Sequence, residues 1–530
     1  MLATIVMLAA AAASVHTKAA AIGGRGATEH HLHLRGSGSA AVTYTHDIAP
    51  ILYQNCDTCH RPGQISPFPL NSYADAKKHA RQIAEVTQIK LMPPWKAESG
   101  FGHFVGERRL SDSTISTIRT WVNTGALEGK LADLPVPPKY PEGWALGKPD
   151  VVLQPSEPYS LSAEGADVYR CFVIPTSYTE DRWLAGMEVH PGNRKVVHHI
   201  IAYLDTSGAA RKLEAAGPGP GYTSFGGPGF SPSGSLGGWV PGYDSALLPA
   251  GIGIFLPKGA DIVLQVHYHK DGKPETDLTK IGLFFTKAPV DKRLRTLPII
   301  DQNISIPAGD PDYVAHASYT VPLNVTLRDI LPHMHLIGRN MTVVAHVPDA
   351  VDIPLIKIDD WDFNWQNKYV YQHPIKLPKG TKIDLVAHYN NSLSNPRNPN
   401  DPPKAVTWGE QTTDEMCIAF LGYTVDAEHL TKGEAVNSAP DFARAREESA
   451  AESLISKFDR DSDGTLDESE FAALLQYYKD HPRPGHANGP LQFADTAKLG
   501  HSLLLIFDKD NDGTLNADEL ATWIKSVRKR

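Results

Sequence analysis

Short apolar runs separated by turn-forming residues dominate the middle of the chain. The segments VYRCFVIP (168–175) and DIVLQVHYH (261–269) are typical examples. Runs of this length predict β-strands, and their number predicts two β-sandwiches over residues 150–288 and 289–427. The other strand-like runs include WLAGMEV, VVHHIIAYL, KIGLFF, MTVVAHV, KIDLVAHYN and MCIAFLGYTV. Residues 217–258 are rich in Gly and Pro and are predicted to form an exposed loop or a lid.

Helical patterns lie on both sides of this β region. The segment SDSTISTIRTWVNTGA places Ile115, Ile118, Trp121 and Val122 at helical spacing, which predicts the last helix of a small all-α unit. Two acidic loops near the C-terminus are also flanked by helical pattern. The predicted boundaries are a signal peptide at 1–21, a flexible lead at 22–41, the all-α unit at 42–134, a Pro-rich linker at 135–149, the sandwiches at 150–288 and 289–427, a linker at 428–440 and a helical pair at 441–530.

Composition fits an exported protein of several domains. The chain has 530 residues, of which 41% are hydrophobic and 21% charged, as expected for three or four folded domains. The formal net charge of −9 gives no indication of nucleic-acid binding. The opening apolar run, followed by small residues near Ala19, resembles a secretory signal peptide, although no Lys or Arg precedes it. That run is too short for a membrane span, so we expect no transmembrane segment in the mature chain.

The all-α unit carries Cys56, Cys59 and His60 in the spacing C-x-x-C-H. This is the attachment motif of c-type haem, in which the two thiols bond the vinyl groups and the His binds iron. Met92 in KLMPPW is the predicted second iron ligand, and His/Met ligation suits electron transfer. The alternative is a redox C-x-x-C that happens to precede a His. In bacteria this attachment takes place outside the cytoplasm, so we expect a periplasmic or extracellular location for a cytochrome c domain.

Two twelve-residue segments near the C-terminus match the calcium loop of EF-hands. Each has hard oxygen ligands, Gly at position six and Glu at position twelve, as calcium requires. The predicted calcium ligands are Asp459, Asp461, Asp463, Thr465, Asp467, Glu470, Asp508, Asp510, Asp512, Thr514, Asn516 and Glu519. The long link HPRPGHANGP leaves the usual back-to-back pairing of the loops open. We expect structural calcium sites, with a calcium switch as the alternative.

Six soft-metal ligands are spread over four strings of the β region. They are His198, His199, His267, His333, His335 and Met416. Imidazole suits copper in either oxidation state, and a thioether favours Cu(I). Each string alone has a structural explanation, such as strand histidines bonded to backbone groups or a Met in the core. On spacing alone His269 could replace His267, because the two share one face of a strand.

Taken together and in this order, the strings resemble the copper type II, ascorbate-dependent monooxygenases, the family of peptidylglycine α-hydroxylating monooxygenase and dopamine β-monooxygenase. The resemblance covers roughly residues 148–426 and includes GRNM after the HMH string. It implies two jelly-roll sandwiches with one copper ion in each. The first implied ligand set is His198, His199 and His267, and the second, which is catalytic and binds O2, is His333, His335 and Met416.

The resemblance implies hydroxylation of a C–H bond with O2, two electrons and two protons. The expected cofactors are two copper ions, one c-type haem and calcium. We expect the fused haem to pass electrons to the copper at His198, and an external donor to reduce the haem. Peptidylglycine enzymes hold a peptide carboxylate at positions that match Leu331, Ile418 and Phe420 here. These three are apolar, so the expected substrate is a small hydrophobic or aromatic molecule.

Two other classes of function stay open at this point. One is a haem and copper electron-transfer or copper-handling protein without hydroxylase turnover. The other is a calcium-dependent extracellular binding module whose metals are incidental, and the presence of Met416 argues against it. Cys171 and Cys417 lie outside the haem motif, and the sequence leaves open whether they form a disulfide or stay buried thiols.

Overall fold

The computed structural model describes residues 41–528 except 63, 65, 141–142, 225–226, 241–244, 410, 439–441 and 481–494. The predicted signal peptide at 1–21 lies outside the described residues, as does nearly all of the predicted flexible lead at 22–41. None of the described helices is both long and apolar enough to cross a membrane. The described part is mostly β-structure, with helical units before and after the sheets.

A small helical unit precedes the sheets. Its elements are a π-helical turn (Tyr44–Ile48), α1 (Ala49–Asn55), α2 (Tyr73–Lys78), α3 (Ala80–Gln88), α4 (Asp112–Asn123) and a 3-10 turn (Leu131–Asp133). The predicted last helix is confirmed as α4, which begins where the Ser111 hydroxyl accepts a hydrogen bond from the Thr114 N–H at 3.1 Å. Its buried residues Ile115, Ile118 and Trp121 face the core of the unit.

The first β unit consists of two sheets packed face to face. Its elements are β1 (Val151–Leu153), β2 (Tyr159–Leu161), β3 (Val168–Pro175), β4 (Arg182–His190), β5 (Val197–Asp205), α5 (Ala209–Ala216), β6 (Tyr222–Thr223), β7 (Gly234–Trp239), β8 (Ile252–Leu256), β9 (Asp261–Tyr268), β10 (Glu275–Asp277), β11 (Lys280–Phe285) and β12 (Lys292–Arg293). The strand orders are β1-β11-β4-β8-β12 and β6-β3-β9-β5-β7, beside a separate pair β10-β2. Leu184 of one sheet and Leu264 of the other belong to the same core. All residues of the central strand β9 are buried, which accounts for its unbroken apolar run.

The second β unit repeats this arrangement with four-stranded sheets. Its strands are β13 (Arg295–Asp301), β14 (Ser305–Ile306), β15 (Tyr313–Thr320), β16 (Val325–His333), β17 (Gly338–His346), β18 (Ile353–Ile358), β19 (Tyr369–Leu377), β20 (Lys382–Tyr389), β21 (Val406–Thr407) and β22 (Cys417–Val425). The strand orders are β13-β22-β16-β19 and β15-β20-β17-β18, beside a pair β14-β21. Leu327 and Leu385, from opposite sheets, share the core. The two units agree with the predicted sandwiches, whereas jelly-roll connectivity stays a prediction.

The Gly- and Pro-rich stretch at 217–258 is not the exposed loop that its composition predicted. It contains β6, β7 and β8, and β7 and β8 pair with β5 and β4. At Gly238 an added Cβ would lie 2.5 Å from the carbonyl oxygen of Ile200 on the neighbouring strand. Glycine therefore permits a close approach of two strands here, and does not simply mark a turn.

Part of the predicted cytochrome unit packs into the second sandwich. The Val105 N–H donates to the Val370 carbonyl at 2.8 Å, and isolated β-bridges join Ala97 and Phe104 to strands of that sandwich. The side chains of Ala97 and Phe104 are each 2% exposed and belong to its core. Residues 94–105 therefore tie the helical unit to the second sandwich.

The C-terminal helices form an EF-hand pair. They are α6 (Phe442–Phe458), α7 (Glu468–Asp480), α8 (Thr496–Phe507) and α9 (Ala517–Arg528), and a 3-10 turn (Leu430–Lys432) precedes them. The backbone N–H groups of Leu466 and Leu515 each donate to the other's carbonyl, at 3.0 and 2.9 Å. This bridge joins the two calcium loops and confirms the back-to-back pairing that the sequence left open.

The first EF-hand helix also covers the second sandwich. α6 packs on β13 and β15, which are edge strands of its two sheets. The fully buried Ser449 hydroxyl accepts from the Ile300 N–H and donates to the Ser318 carbonyl, both at 2.9 Å. The Tyr319 hydroxyl donates to the Glu448 carboxylate at 3.0 Å. The EF-hand pair is thus bonded to the strands beside it through satisfied buried polar groups.

Ser449→Ala should lower the free energy of unfolding by about 1–3 kcal/mol, because it leaves a buried N–H and a buried C=O without a partner. Chemical denaturation followed by tryptophan fluorescence measures this loss. Ser502→Ala is the matched control, since Ser502 is exposed and its hydroxyl donates only to the Lys498 carbonyl within α8. Equal stability of the two variants would contradict the role given to Ser449.

Candidate metal centres

The first three predicted ligands meet on two paired strands. His198 and His199 begin β5, His267 lies near the end of β9, and His199 stands directly opposite His267. The register shifts between Val197 and His199, so His198 is an extra residue in a β-bulge. Neighbouring residues of a regular strand point to opposite faces, and the bulge removes that restriction. It allows both adjacent imidazoles to face His267.

The ring nitrogens of this cluster converge. The Nδ1 atom of His199 lies 3.2 Å from Nδ1 of His198 and 3.4 Å from Nδ1 of His267. Nitrogens that bind a tetrahedral metal at about 2.0–2.1 Å, as in zinc sites, lie roughly 3.3–3.4 Å apart. The described geometry therefore matches three nitrogens around one metal ion.

Burial disfavours the charged form of two of these imidazoles. It lowers the pKa of His198 to about 4, with a further contribution from His267. Burial lowers the pKa of His199 well below its ordinary value as well, and the neighbouring histidines add to this effect. A metal ion binds the neutral form, so His198 and His199 are ready to bind a metal without first losing protons.

Asp167 fixes the orientation of His267. Its carboxylate accepts a hydrogen bond from Nε2 of His267 at 2.8 Å, which leaves the Nδ1 lone pair facing the cluster. His269 also bonds to Asp167, at 3.0 Å, but its side chain is 68% exposed and lies outside the cluster. Of the two histidines that the spacing allowed, His267 is the one that joins His198 and His199.

The second predicted set lies on β16 and β22 of the second sandwich. These strands are antiparallel, and their pairing ends with His333 opposite Ile418. The imidazole centroids of His333 and His335 are 5.1 Å apart. The end of this pairing brings both histidines beside the segment that leads into β22, where the His335 N–H donates to Glu415, the neighbour of Met416.

Both imidazoles of this set keep Nε2 free. Nδ1 of His333 donates to the Gln366 side-chain oxygen at 2.5 Å, and Nδ1 of His335 donates to the Asp414 carbonyl at 3.1 Å. Burial lowers the pKa of His333, and it lowers that of His335 to about 3. Two neutral Nε2 atoms are thus available as ligands.

Glu415 links the two parts of this set. Its fully buried carboxylate accepts hydrogen bonds from the N–H groups of His335 and Ile337 at 2.8 Å and from that of Met416 at 3.2 Å. Burial raises the pKa of Glu415 to about 8, although the backbone donors favour its charged form. The sequence analysis did not single out Glu415, even though it lies inside the string TDEMC.

Met416 lies in an apolar surrounding. Its side chain is 9% exposed and clusters with Ile300 and Ile418, and Trp408 and Phe420 pack against them. A thioether in such a place can serve as a soft ligand, because no stronger polar group competes for the metal.

The haem motif lies at the end of α1. His60 donates from Nδ1 to the Phe68 carbonyl at 3.1 Å, and the Ser66 hydroxyl lies 2.7 Å from the same nitrogen. This leaves Nε2 of His60 as the free ring nitrogen. Cys56 and Cys59 are not joined by a disulfide bond. Met92 is half-buried beyond α3, and its pairing with His60 across a haem stays a prediction.

The calcium loops bring their carboxylates together. Oxygens of Asp459, Asp461 and Glu470 lie within 4.8 Å of one another, and the same holds for the equivalent residues of the second loop, Asp508, Asp510 and Glu519. The position-six glycine of the first loop, Gly464, has a φ of 88° and donates its N–H to Asp459 at 2.9 Å. The described loops therefore have the shape of a calcium site.

Cys171 and Cys417 are buried free thiols, one in each sandwich. Of the two possibilities that the sequence left open, the structure has the unbonded one.

Comparison with known sequences agrees with this geometry. Residues 317–440 match the C-terminal domain of copper type II ascorbate-dependent monooxygenases, and residues 452–475 and 502–524 match EF-hands. A curated relative, DBH-like monooxygenase protein 2 of Mus musculus, is 24% identical over 253 residues, which cover 44% of this chain. The chain spans 38% of that relative's length. These similarities support a copper monooxygenase with an EF-hand pair.

Comparison with solved structures adds no argument about the fold. The VP2 subviral particle of infectious bursal disease virus is 10% identical, with 53% of this chain and 72% of that chain covered and a TM-score of 0.15. The T13 particle of the same virus is 11% identical, with the same coverage and a TM-score of 0.16. Scores this low carry no weight.

Metal-free protein should lose stability as the pH falls from about 6.5 towards 4. In the folded chain the pKa of His198 is about 4, below its value in the unfolded chain. As the pH falls, the unfolded chain therefore binds the proton at a higher pH than the folded chain does. Each pH unit in this window costs up to about 1.4 kcal/mol per such group. The charged and titratable groups that face His198 are His199, His267, Asp167 and His269.

Urea denaturation of the metal-free protein at several pH values measures this loss. His198→Asn should lose less stability over the same window than the unmodified chain does. An equal loss in both proteins would contradict the assignment.

Proposed function

We propose that this chain is a copper-dependent monooxygenase that hydroxylates a C–H bond of a small organic substrate with O2. The observation that carries the proposal is the convergence of His198, His199 and His267 in the first sandwich, with the imidazoles of His333 and His335 side by side in the second. The match of residues 317–440 to the monooxygenase domain supports it independently.

The residues present fit copper at both sites. His198, His199 and His267 would hold one ion through three Nδ1 atoms, and the second ion would be held by His333 and His335 through Nε2 together with Met416. Bound copper would supply the binding of O2 and the one-electron steps. The thioether gives the second site its preference for Cu(I), the state that reacts with O2.

The protein's own groups prepare these sites. Asp167 holds the proton on Nε2 of His267, and the Asp414 carbonyl accepts the proton on Nδ1 of His335, so neither ring can turn its free nitrogen away. Glu415 fixes the distance between the backbones of His335 and Met416, because its carboxylate accepts hydrogen bonds from both N–H groups. The three groups act by orienting ligands before the metal arrives.

The surface beside Met416 favours an apolar substrate. Leu331 stands opposite Phe420 and His333 stands opposite Ile418 on β16 and β22, so these side chains share one face of the sheet. Leu331 and Phe420 are half-buried, and neither can pair with a carboxylate. A small hydrophobic or aromatic substrate is therefore proposed. Tight and saturable binding of a peptide with a free carboxylate would overturn this part.

A c-type haem bound at Cys56, Cys59 and His60 is proposed as the electron donor. The helical turn of this motif and the free Nε2 of His60 fit such a group. Burial and the neighbouring Arg61 lower the pKa of Arg194, and Cys59 also acts on it. Arg194 precedes His198 by only four positions, so this electrostatic interaction connects the haem motif with the segment that leads into β5.

Export to the periplasm or the cell exterior is proposed from the signal-like N-terminus and from the site of c-type haem attachment. Calcium at the EF-hands is proposed as structural, because α6 is bonded into the second sandwich.

Protein loaded with copper under reducing conditions should bind about two ions per chain, and Met416→Ala should bind about one, because a thioether is needed to hold Cu(I) at the second site. Elemental analysis after gel filtration measures the copper content. Met187→Ala is the matched control, since Met187 is also 9% exposed but packs in the first sandwich. Two ions in both variants, or none in the unmodified protein, would contradict the proposal.

Copper-loaded protein should oxidise its reduced haem faster than copper-free protein does, with O2 and an accepted substrate present, because tethering raises the effective concentration of the donor. Stopped-flow absorbance of the haem measures the rate. Equal rates would rule out this electron supply. Haem and copper that cycle without substrate-coupled O2 uptake would favour the electron-transfer alternative.

A further inference from the structure

One aromatic side chain lies between the two histidine clusters. The ring of Phe363 stacks on that of His198, with centroids 5.5 Å apart and planes 13° apart. The same ring meets His335 edge-on, at 5.8 Å and 88°. His198 belongs to the first sandwich and His335 to the second, so Phe363 contacts one imidazole of each cluster.

The loop that carries Phe363 is held on both sides of it. Trp361 is 2% exposed, and its indole N–H donates to the His335 carbonyl at 3.0 Å. The Gln366 side-chain amide donates to the Phe363 carbonyl at 3.0 Å. The oxygen of the same amide accepts from His333. The residues on either side of Phe363 are therefore hydrogen-bonded to both histidines of the second site, Trp361 to the backbone of His335 and Gln366 to the imidazole of His333.

The ends of the loop are tied to another part of the chain. Lys96 forms an ion pair with Asp360 at 2.6 Å, and the Asn367 side-chain N–H donates to the Pro94 carbonyl at 2.9 Å. Residues 94–96 directly follow the predicted haem ligand Met92 and its neighbour Pro93. The loop at 360–367 therefore contacts the second site, the first site and residues 94–96, the segment that leaves the helical unit.

We propose that Phe363 is a positioning residue that sets the separation of the two metal centres. The proposal rests on the proposed function, since it needs a metal at each cluster. The half-buried ring of Phe363 contacts both imidazoles, so His198 and His335 cannot approach each other without displacing it. The spacing of the two metal centres would then be set by a side chain.

The magnetic interaction between two Cu(II) ions tests this proposal without any turnover. Protein loaded with two Cu(II) ions is examined by EPR, and the strength and spread of the dipolar coupling, including the half-field transition, are compared among variants. The variants are Phe363→Ala and Phe363→Leu, the second of which keeps an apolar side chain if the first does not fold. Phe255→Ala is the matched control, because it removes a ring on β8, in the sheet of the first sandwich that lacks the histidines.

At full copper content we expect one narrow coupling in the unmodified protein and in Phe255→Ala, and a shifted or broadened coupling in both Phe363 variants, larger in Phe363→Ala. An unchanged coupling in the Phe363 variants at full copper content would overturn the spacing role and leave the proposed function intact. Loss of one copper with the remaining signal unchanged would also overturn it, since Phe363 would then only support one site. Fewer than two coppers in the unmodified protein would overturn the proposed function, and the spacing role with it.

Discussion

The second metal site depends on one buried carboxylate. Glu415 has no exposed surface, and it lies where the chain enters β22. A polar group in such a place is costly unless hydrogen bonds satisfy it, and three backbone N–H groups do so here. Because two of those groups belong to His335 and Met416, the hydrogen bonds that satisfy the buried carboxyl group also fix the distance between the backbones of two predicted ligands. The antiparallel register of β16 and β22 then brings His333 beside them.

The helical unit and the EF-hand pair both pack against the second sandwich and are not joined to it by linkers alone. Residues 94–105 leave the helical unit and complete the core of the second sandwich, where Phe104 packs against Tyr369 and Tyr371. From the other end of the chain, α6 bonds to the edge strands of the same sandwich. The helical unit, the second sandwich and the EF-hand pair are therefore held together by buried contacts and hydrogen bonds.

The short segments that carry the predicted metal ligands could be recognised from the sequence, because each motif spans only a few neighbouring residues and the motifs occur in the order that the resembled family has. The choice between His267 and His269 was not predictable, since both share one strand face and the decision comes from the pairing of β9 with β5, which puts His267 opposite His199. Three other features also depend on partners distant in sequence. They are the β-bulge at His198, the strands within 217–258 and the packing of Phe104. Phe363 and Gln366 lie in a loop without periodicity, so no pattern marked them.

Crystals of the copper-loaded protein, measured at wavelengths above and below the copper absorption edge, test the central claim most directly. The account predicts two anomalous peaks, one among the Nδ1 atoms of His198, His199 and His267 and one among His333, His335 and Met416. A single peak, or peaks at other histidines, would contradict it.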